Sequence, residues 1–139
     1  MESFALSHFD DFLQIARQQT EPQKLLLVVA ARELPQGHTQ EQARAFAAGE
    51  GGHLAPIASV DRAAHQLENF TAFEAEAAQI VKKWDAVFVG VLPGEKGHEP
   101  LEGAVDTAIE QMLHAIRNGM VNQYLIFNRQ GEPITLVPA

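Results

Sequence analysis

The pattern of apolar and polar positions along the chain alternates between segments of strand type and segments of helical type. Residues 24–31 (KLLLVVAA) and 86–92 (AVFVGVL) are continuous apolar runs, as found in strands that are buried on both faces of a sheet. Residues 53–60 form another strand pattern. Pro56 places that strand at a sheet edge, because proline has no N–H to donate to a neighbouring strand. These three segments predict the body of a β-sheet.

Helices are predicted before, between and after these strands. Thr39 with Gln42 forms a capping signal for the second helix, residues 49–52 (GEGG) end that helix, and Gly119 ends the last one. The other three helices each carry an apolar stripe that should face the sheet. These stripes are Phe9, Phe12, Leu13 and Ala16; Phe70, Phe73, Ala77, Ile80, Val81 and Trp84; and Leu101, Val105, Ala108, Ile109, Met112 and Ile116.

The C-terminal segment has the pattern of a β-hairpin, with strands at 124–127 and 134–137 around a turn at 129–132. The element order is therefore α-β-α-β-α-β-α-β-β. This order predicts an α/β or α+β fold in which helices pack on a mixed, partly parallel, five-stranded sheet that ends in the hairpin. Because 139 residues suit one ordinary domain, residues 1–139 are predicted to form a single globular domain.

Composition excludes several chemistries. The chain has no cysteine, which excludes disulfides, thiolate zinc sites, iron–sulfur clusters and cysteine nucleophiles. No cysteine also fits a reducing compartment, and the N-terminus lacks the basic and apolar regions of a signal peptide. The longest apolar run is too short for a membrane helix. We therefore expect a cytoplasmic protein that does not use a membrane as a partner.

The charge pattern bears on partners as well. The net charge is −8, and the basic residues are scattered rather than clustered. A nucleic-acid interface needs clustered positive charge, so we expect no nucleic acid as a partner.

No motif in the chain carries a recognisable chemistry. The loop at 90–97 (GVLPGEKG) follows a strand and precedes a helix, but it lacks the Walker spacing and is predicted to be a turn. The histidines show no metal-binding spacing, and no serine lies in a nucleophile elbow. We therefore predict no catalytic residue, no metal and no cofactor.

Polar residues near the predicted strand ends form one candidate site. In a parallel sheet, the loops at the carboxyl ends of the strands meet at one edge, where ligands usually bind. The candidate ligand-binding residues on this reasoning are Arg32, Glu33, His38, Asp61, Arg62, Lys96 and His98. The alternative interpretation is that these are ordinary solvated loop residues.

Several segments resemble a family of small proteobacterial proteins that are often labelled "ribonucleotide reductase subunit alpha". They are residues 21–29 (EPQKLLLVV), 33–35 (ELP), 49–52 (GEGG) with the strand that runs on to Val60 and Asp61, 84–92 (WDAVFVGVL) and 127–133 (FNRQGEP). The resemblance runs from about Phe9 to the C-terminus. The label implies ribonucleotide reduction, which requires cysteines that this chain lacks, so we infer that it is not a reductase. In element order alone, the chain is also similar to the enhanced-serine-sensitivity type of α+β domain.

Two functions from different classes remain. The first is a non-enzymatic protein-interaction or regulatory module, expected to form a homodimer or to bind a protein partner, because the strand from Tyr124 to Phe127 could lie at an exposed sheet edge. The second is a small-ligand-binding or enzymatic domain that uses the strand-end loops. An accessory role towards ribonucleotide reductase would rest on the family label alone.

Overall fold

The protein folds around a four-stranded antiparallel sheet with helices on both faces, an α+β architecture. The computed structural model describes residues 6–136. The strand order is β2-β1-β3-β4. The elements are α1 (Phe9–Arg17), β1 (Gln23–Glu33), α2 (Gln40–Ala47), β2 (His53–Ala63), a 3₁₀ turn (Ala64–Gln66), α3 (Phe70–Ala78), β3 (Ala86–Pro93), α4 (Glu102–Arg117) and β4 (Leu125–Asn128).

Two hydrophobic cores lie on opposite faces of the sheet. In β1, Leu25 and Leu27 belong to the core under α1 and α3, whereas Leu26 and Val28 belong to the core under α4. Side chains alternate between the two faces of a strand, so a strand covered on both faces must be apolar at every position. The continuous apolar runs of β1 and β3 follow from this double burial.

An aromatic cluster fixes α1 to the sheet and to α3. Phe9 is fully buried, and its ring centroid lies 5.3 Å from that of Phe70 and 5.3 Å from that of Phe127. The same ring lies 6.1 Å from Phe73. Aromatic pairs at these separations are favourable beyond the area that they bury. One side chain thus joins α1, α3 and β4 in a single core.

The prediction of five strands in a partly parallel sheet is wrong. Every strand pair within residues 6–136 is antiparallel. Continuous apolar runs are typical of parallel sheets because helices usually cover both faces there, but helices cover both faces of this antiparallel sheet as well. The second arm of the predicted hairpin makes only an isolated bridge, Phe127 with Pro133, and a bond from Ile134 N–H to Ile126 O. Val137 of that arm lies outside the described residues.

The predicted helix boundaries are partly confirmed. Thr39 and Gln42 form the capping box of α2, and Gly119 with its positive φ of 72° follows the end of α4. The third helix ends at Ala78 rather than running on to Trp84, so Ile80 is 58% exposed instead of facing the core. Leu101 is 81% exposed because it is the N-cap of α4 and not part of its buried stripe.

Candidate functional site

The antiparallel sheet separates the seven candidate ligand-binding residues into two groups at opposite ends. Glu33 pairs with His53 at one end of the β1–β2 ladder, whereas Lys24 pairs with Ala63 at the other. Carboxyl ends of neighbouring antiparallel strands point in opposite directions, so the expectation that all seven share one edge is wrong. Arg32, Glu33 and His38 lie towards the first end, and Asp61, Arg62, Lys96 and His98 lie towards the second.

At the second end, the side chains of Asp61 and Arg62 contact neighbouring elements of the fold. Arg62 forms an ion pair with Glu76. Lys24 Nζ lies 3.8 Å from a carboxylate oxygen of Asp61. These contacts tie β2 to α3 and β1, which is a structural role.

The loop after β3 is held by a carboxylate of the protein itself. The backbone N–H groups of Lys96 and Gly97 donate to Glu21 at 2.7 and 2.8 Å. His98 closes the same loop, because its backbone N–H donates to Glu95 O at 2.8 Å. The amides that would cradle a phosphate are therefore occupied by Glu21, in agreement with the prediction of a turn.

The first end contains a cleft of about 590 Å³ between β1, the end of α4 and the C-terminal segment. We call it the Arg32 cleft. Its apolar lining includes Leu54, Ala86, Phe88, Ile116 and Ile134. Clefts of about 300–1,000 Å³ with an apolar lining and a few polar groups are typical of small-molecule sites.

Arg32 is the cationic side chain of this cleft, and its contacts hold the neighbouring loop. Its Nε and Nη2 donate to Gly51 O at 3.2 and 3.0 Å. Its guanidinium carbon lies 4.5 Å from the centroid of the Phe46 ring on α2, a cation–π contact. Gly52 must be a glycine, since a Cβ there would lie 2.9 Å from the Phe46 ring and φ is +78°. The 49–52 segment and α2 thus position this arginine.

Two acidic groups lie near Arg32, and neither forms an ion pair with its guanidinium. The Asp85 carboxylate lines the cleft and accepts the backbone N–H of Arg32 at 2.7 Å. Glu33 bonds to His53 Nε2 at 2.9 Å. Among the ion pairs formed by residues 6–136, none includes Arg32. His38 bonds to Pro35 O at 3.2 Å and does not line the cleft.

Of the seven residues selected from the sequence, only Arg32 lines this cleft, and the other lining residues were not selected. Asp85 precedes β3 rather than following a strand, so the rule of strand carboxyl ends did not select it. Phe88 and Ile116 have the pattern of ordinary core residues. The one sequence signal for an acid at this end is that Trp84 and Asp85 directly precede the apolar strand 86–92.

A second feature lies on the β4 side of the sheet, where β4 is shorter than β3. β4 pairs with β3 only from Ala86 to Val89, so residues 90–93 extend beyond it. We call residues 90–93 the β3 step. A cleft of about 700 Å³ adjoins the step, and its lining includes Val91, Met120, Tyr124 and Leu125.

The hydrogen-bond pattern of the ladder turns the backbone of Val91 towards this open side. Gly94 N–H donates to Pro22 O at 2.7 Å, which makes position 94 a site that bonds towards β1. The backbone N–H and C=O groups alternate in direction along an antiparallel strand. The backbone groups of Leu92 therefore also point towards β1, and those of Val91 point away from it. No strand among the described residues lies opposite Val91 on that side.

Neither a membrane helix nor a metal cluster is found in the described part of the chain. No helix within residues 6–136 has the length and apolar character needed to cross a bilayer. The same residues contain no group of three or more histidine and acidic side chains placed to bind a metal ion. Comparison with protein-family models, curated protein sequences and solved structures gave no significant match. The resemblance to the "ribonucleotide reductase subunit alpha" family therefore stays a prediction.

Proposed function

We propose that this protein is a non-enzymatic interaction module that binds an extended segment of a partner protein at the β3 step. The observation that carries the proposal is an open strand edge with apolar side chains on both sides. An added strand takes its hydrogen bonds from the edge and its specificity from pockets for alternate side chains. The step offers the N–H and carbonyl of Val91 and the carbonyl of Pro93 as bonding groups, with apolar side chains beside them.

The apolar groups are arranged as an added strand would need them. Val91 and Leu125 lie on the face of α1, because Val91 is two residues beyond Val89 and Leu125 pairs with Val89. Tyr124 packs on the face of α4. Val91 is 41% exposed and Leu125 is 38% exposed, and Met120 is 54% exposed in the same cleft. Alternate side chains of an incoming strand would therefore meet apolar surface on either face.

The other sheet edges are interrupted at one point or covered. On β2, the register shift between Val29 and Ala30 leaves Ile57 as a bulge, next to Pro56, which has no N–H. A bulge and a proline interrupt pairing with another chain at that point of the edge. On β4, Ile126 O accepts the Ile134 N–H at 2.8 Å, so the outer side of that strand is covered by the chain itself. Among the described strands, residues 58–63 of β2 and the β3 step are open on their outer sides, and the β3 step is the one that adjoins the 700 Å³ cleft with its exposed apolar side chains.

The geometry of the step favours a segment of another protein over a second copy of this chain. In a symmetric β3–β3 pair centred on Val91, Pro93 of one copy would lie opposite Val89 of the other. That position is already occupied by Leu125. An extended segment can instead pair beside Val91 and continue past the end of β3. The homodimer predicted from the sequence stays a prediction, which sedimentation tests separately.

Selection from a random library of displayed peptides tests this proposal. We expect selected peptides to shift the NMR signals of residues 90–93 and Tyr124. We expect the substitution V91P to weaken binding at least about tenfold, because it removes the outward N–H and apolar contact. S59P is the matched control: Ser59 also faces outward, but on the β2 edge, away from the β3 step.

Three results would overturn the proposal. The first is that no peptide is selected at micromolar affinity, the range expected of such contacts. The second is that the selected peptides shift β2 instead. The third is that V91P and S59P change binding equally.

A small-ligand-binding role is the second candidate, and the Arg32 cleft is the observation that favours it. This role does not depend on the β3 step.

A further inference from the structure

We infer that the Arg32 cleft binds a small organic carboxylate with an apolar body. The cleft combines an apolar lining with one arginine whose charge meets no carboxylate of the described chain. A carboxylate can accept hydrogen bonds from the guanidinium of arginine, and an apolar body can pack against the apolar lining of the cleft.

The arginine retains hydrogen-bonding capacity. Arg32 lines the cleft, and it donates from Nε and Nη2 to carbonyl oxygens of Gly51 and Phe46. Its Nη1 group has no acceptor among residues 6–136. The contacts with Gly51 and Phe46 fix the guanidinium before a ligand arrives, which reduces the entropy lost on binding. Arg32 is therefore a preorganised anion partner.

The floor of the cleft selects an apolar body. Leu54 and Ile134 line the cleft, are partly exposed to it, and pack against the core on the α4 face of the sheet. Arg32 lies on that same face, because it continues the alternation of Val28 and Ala30 along β1. A ligand on this floor can therefore reach the arginine with one end.

The neighbouring acids limit the charge of the ligand. Asp85 lines the cleft beside Arg32, and the Glu33–His53 pair lies at the rim. A doubly charged phosphate would be repelled by these carboxylates more strongly than a singly charged carboxylate. The observations thus favour a monoanion.

Titration calorimetry with octanoate, octanamide and inorganic phosphate tests this inference on the unmodified protein. Octanamide keeps the apolar chain and removes the charge, whereas phosphate keeps the charge and removes the chain. We expect octanoate to bind at least about tenfold more tightly than octanamide, from a charge-assisted hydrogen bond to arginine. Equal binding of octanoate and octanamide would overturn the inference, and so would phosphate binding as tightly as octanoate.

Variants locate the site. R32Q should weaken octanoate binding about tenfold and R32K less, because lysine retains the positive charge but not the contacts with Gly51 and Phe46 that position the guanidinium. R44Q is the matched control, since Arg44 is exposed on α2 and does not line the cleft. L54A, which trims the floor without touching the charge, should weaken octanoate and octanamide alike.

Folding is checked separately from binding by the amide NMR spectrum of each variant. If R32Q is folded and binds octanoate as the unmodified protein does, the inference is wrong. If R32Q does not fold, the comparison of octanoate with octanamide and the L54A variant still decide it.

Discussion

Proline substitutions at two adjacent positions of β3 test the bonding direction on which the β3 step depends. Leu92 pairs with Lys24 of β1, and its N–H points towards β1, whereas the N–H of Val91 points to the open side. Proline removes the N–H wherever it is placed. L92P should therefore break the ladder, and V91P should leave it intact.

The size of the difference follows from the groups lost. L92P removes a ladder bond, leaves a carbonyl of β1 without its donor and puts a ring inside the sheet, a loss of about 3 kcal/mol in the free energy of unfolding. V91P loses part of a side chain that is already 41% exposed and adds some backbone restriction, a loss of about 1 kcal/mol. With an m-value of about 2 kcal/mol per molar urea, the two unfolding midpoints should differ by about 1 M.

Urea unfolding followed by circular dichroism measures this difference, and hydrogen exchange checks it in the unmodified protein. The Val91 amide should exchange quickly, while the amides of Gly90 and Leu92 should be protected. Equal losses for V91P and L92P, or a protected Val91 amide, would refute the assignment. The interaction surface proposed above would then lose its hydrogen-bonding edge.

Three further substitutions test other parts of the fold. Phe9→Ala should lower the free energy of unfolding by about 3–5 kcal/mol in a urea titration, because the ring is fully buried among aromatic side chains; a loss below about 1 kcal/mol would show that α1 does not pack as described. Gly94→Ala should lower the melting temperature and shift the NMR signals of the loop, since a Cβ would lie 1.9 Å from His98 O; an unchanged melting temperature would contradict that contact. The Ser7 hydroxyl and N–H lower the pKa of Asp11. This pair therefore stabilises the fold above the ordinary carboxyl pKa, and the stabilisation is lost as pH falls through the lowered pKa of the folded state. Ser7→Ala should raise the pKa of Asp11 in an NMR titration, and an unchanged pKa would contradict this contact.

The local features of the fold could be predicted from the sequence because their causes are local. Pro56 lacks a donor, and β2 does lie at a sheet edge. Thr39 and Gln42 satisfy each other's backbone groups three residues apart, so the start of α2 was predictable. Gly119 supplies the positive φ that follows α4.

Strand direction was not predictable, and the candidate site depended on it. The apolar runs of β1 and β3 record burial on both faces and carry no information about direction. With the wrong direction, Asp61 and His98 were grouped with Arg32, although they lie at the far end of the sheet. The β3 step depends on the length of β4 relative to β3, and no residue pattern encodes that difference.

The two proposed sites share one segment of the chain, and this predicts that they are coupled. In residues 119–124, the Arg32 cleft is lined by Gly119, Val121 and Asn122, and the cleft at the β3 step by Met120, Gln123 and Tyr124. A ligand that orders this segment from one side reduces the entropy lost when the other side binds. We therefore expect octanoate to increase the affinity of a step-binding peptide by about fivefold, and the peptide to increase the affinity for octanoate by the same factor. Calorimetric titrations in both orders measure the two factors, with octanamide as the control. If both factors lie within about twofold of unity, the two sites are independent and the shared segment does not connect them.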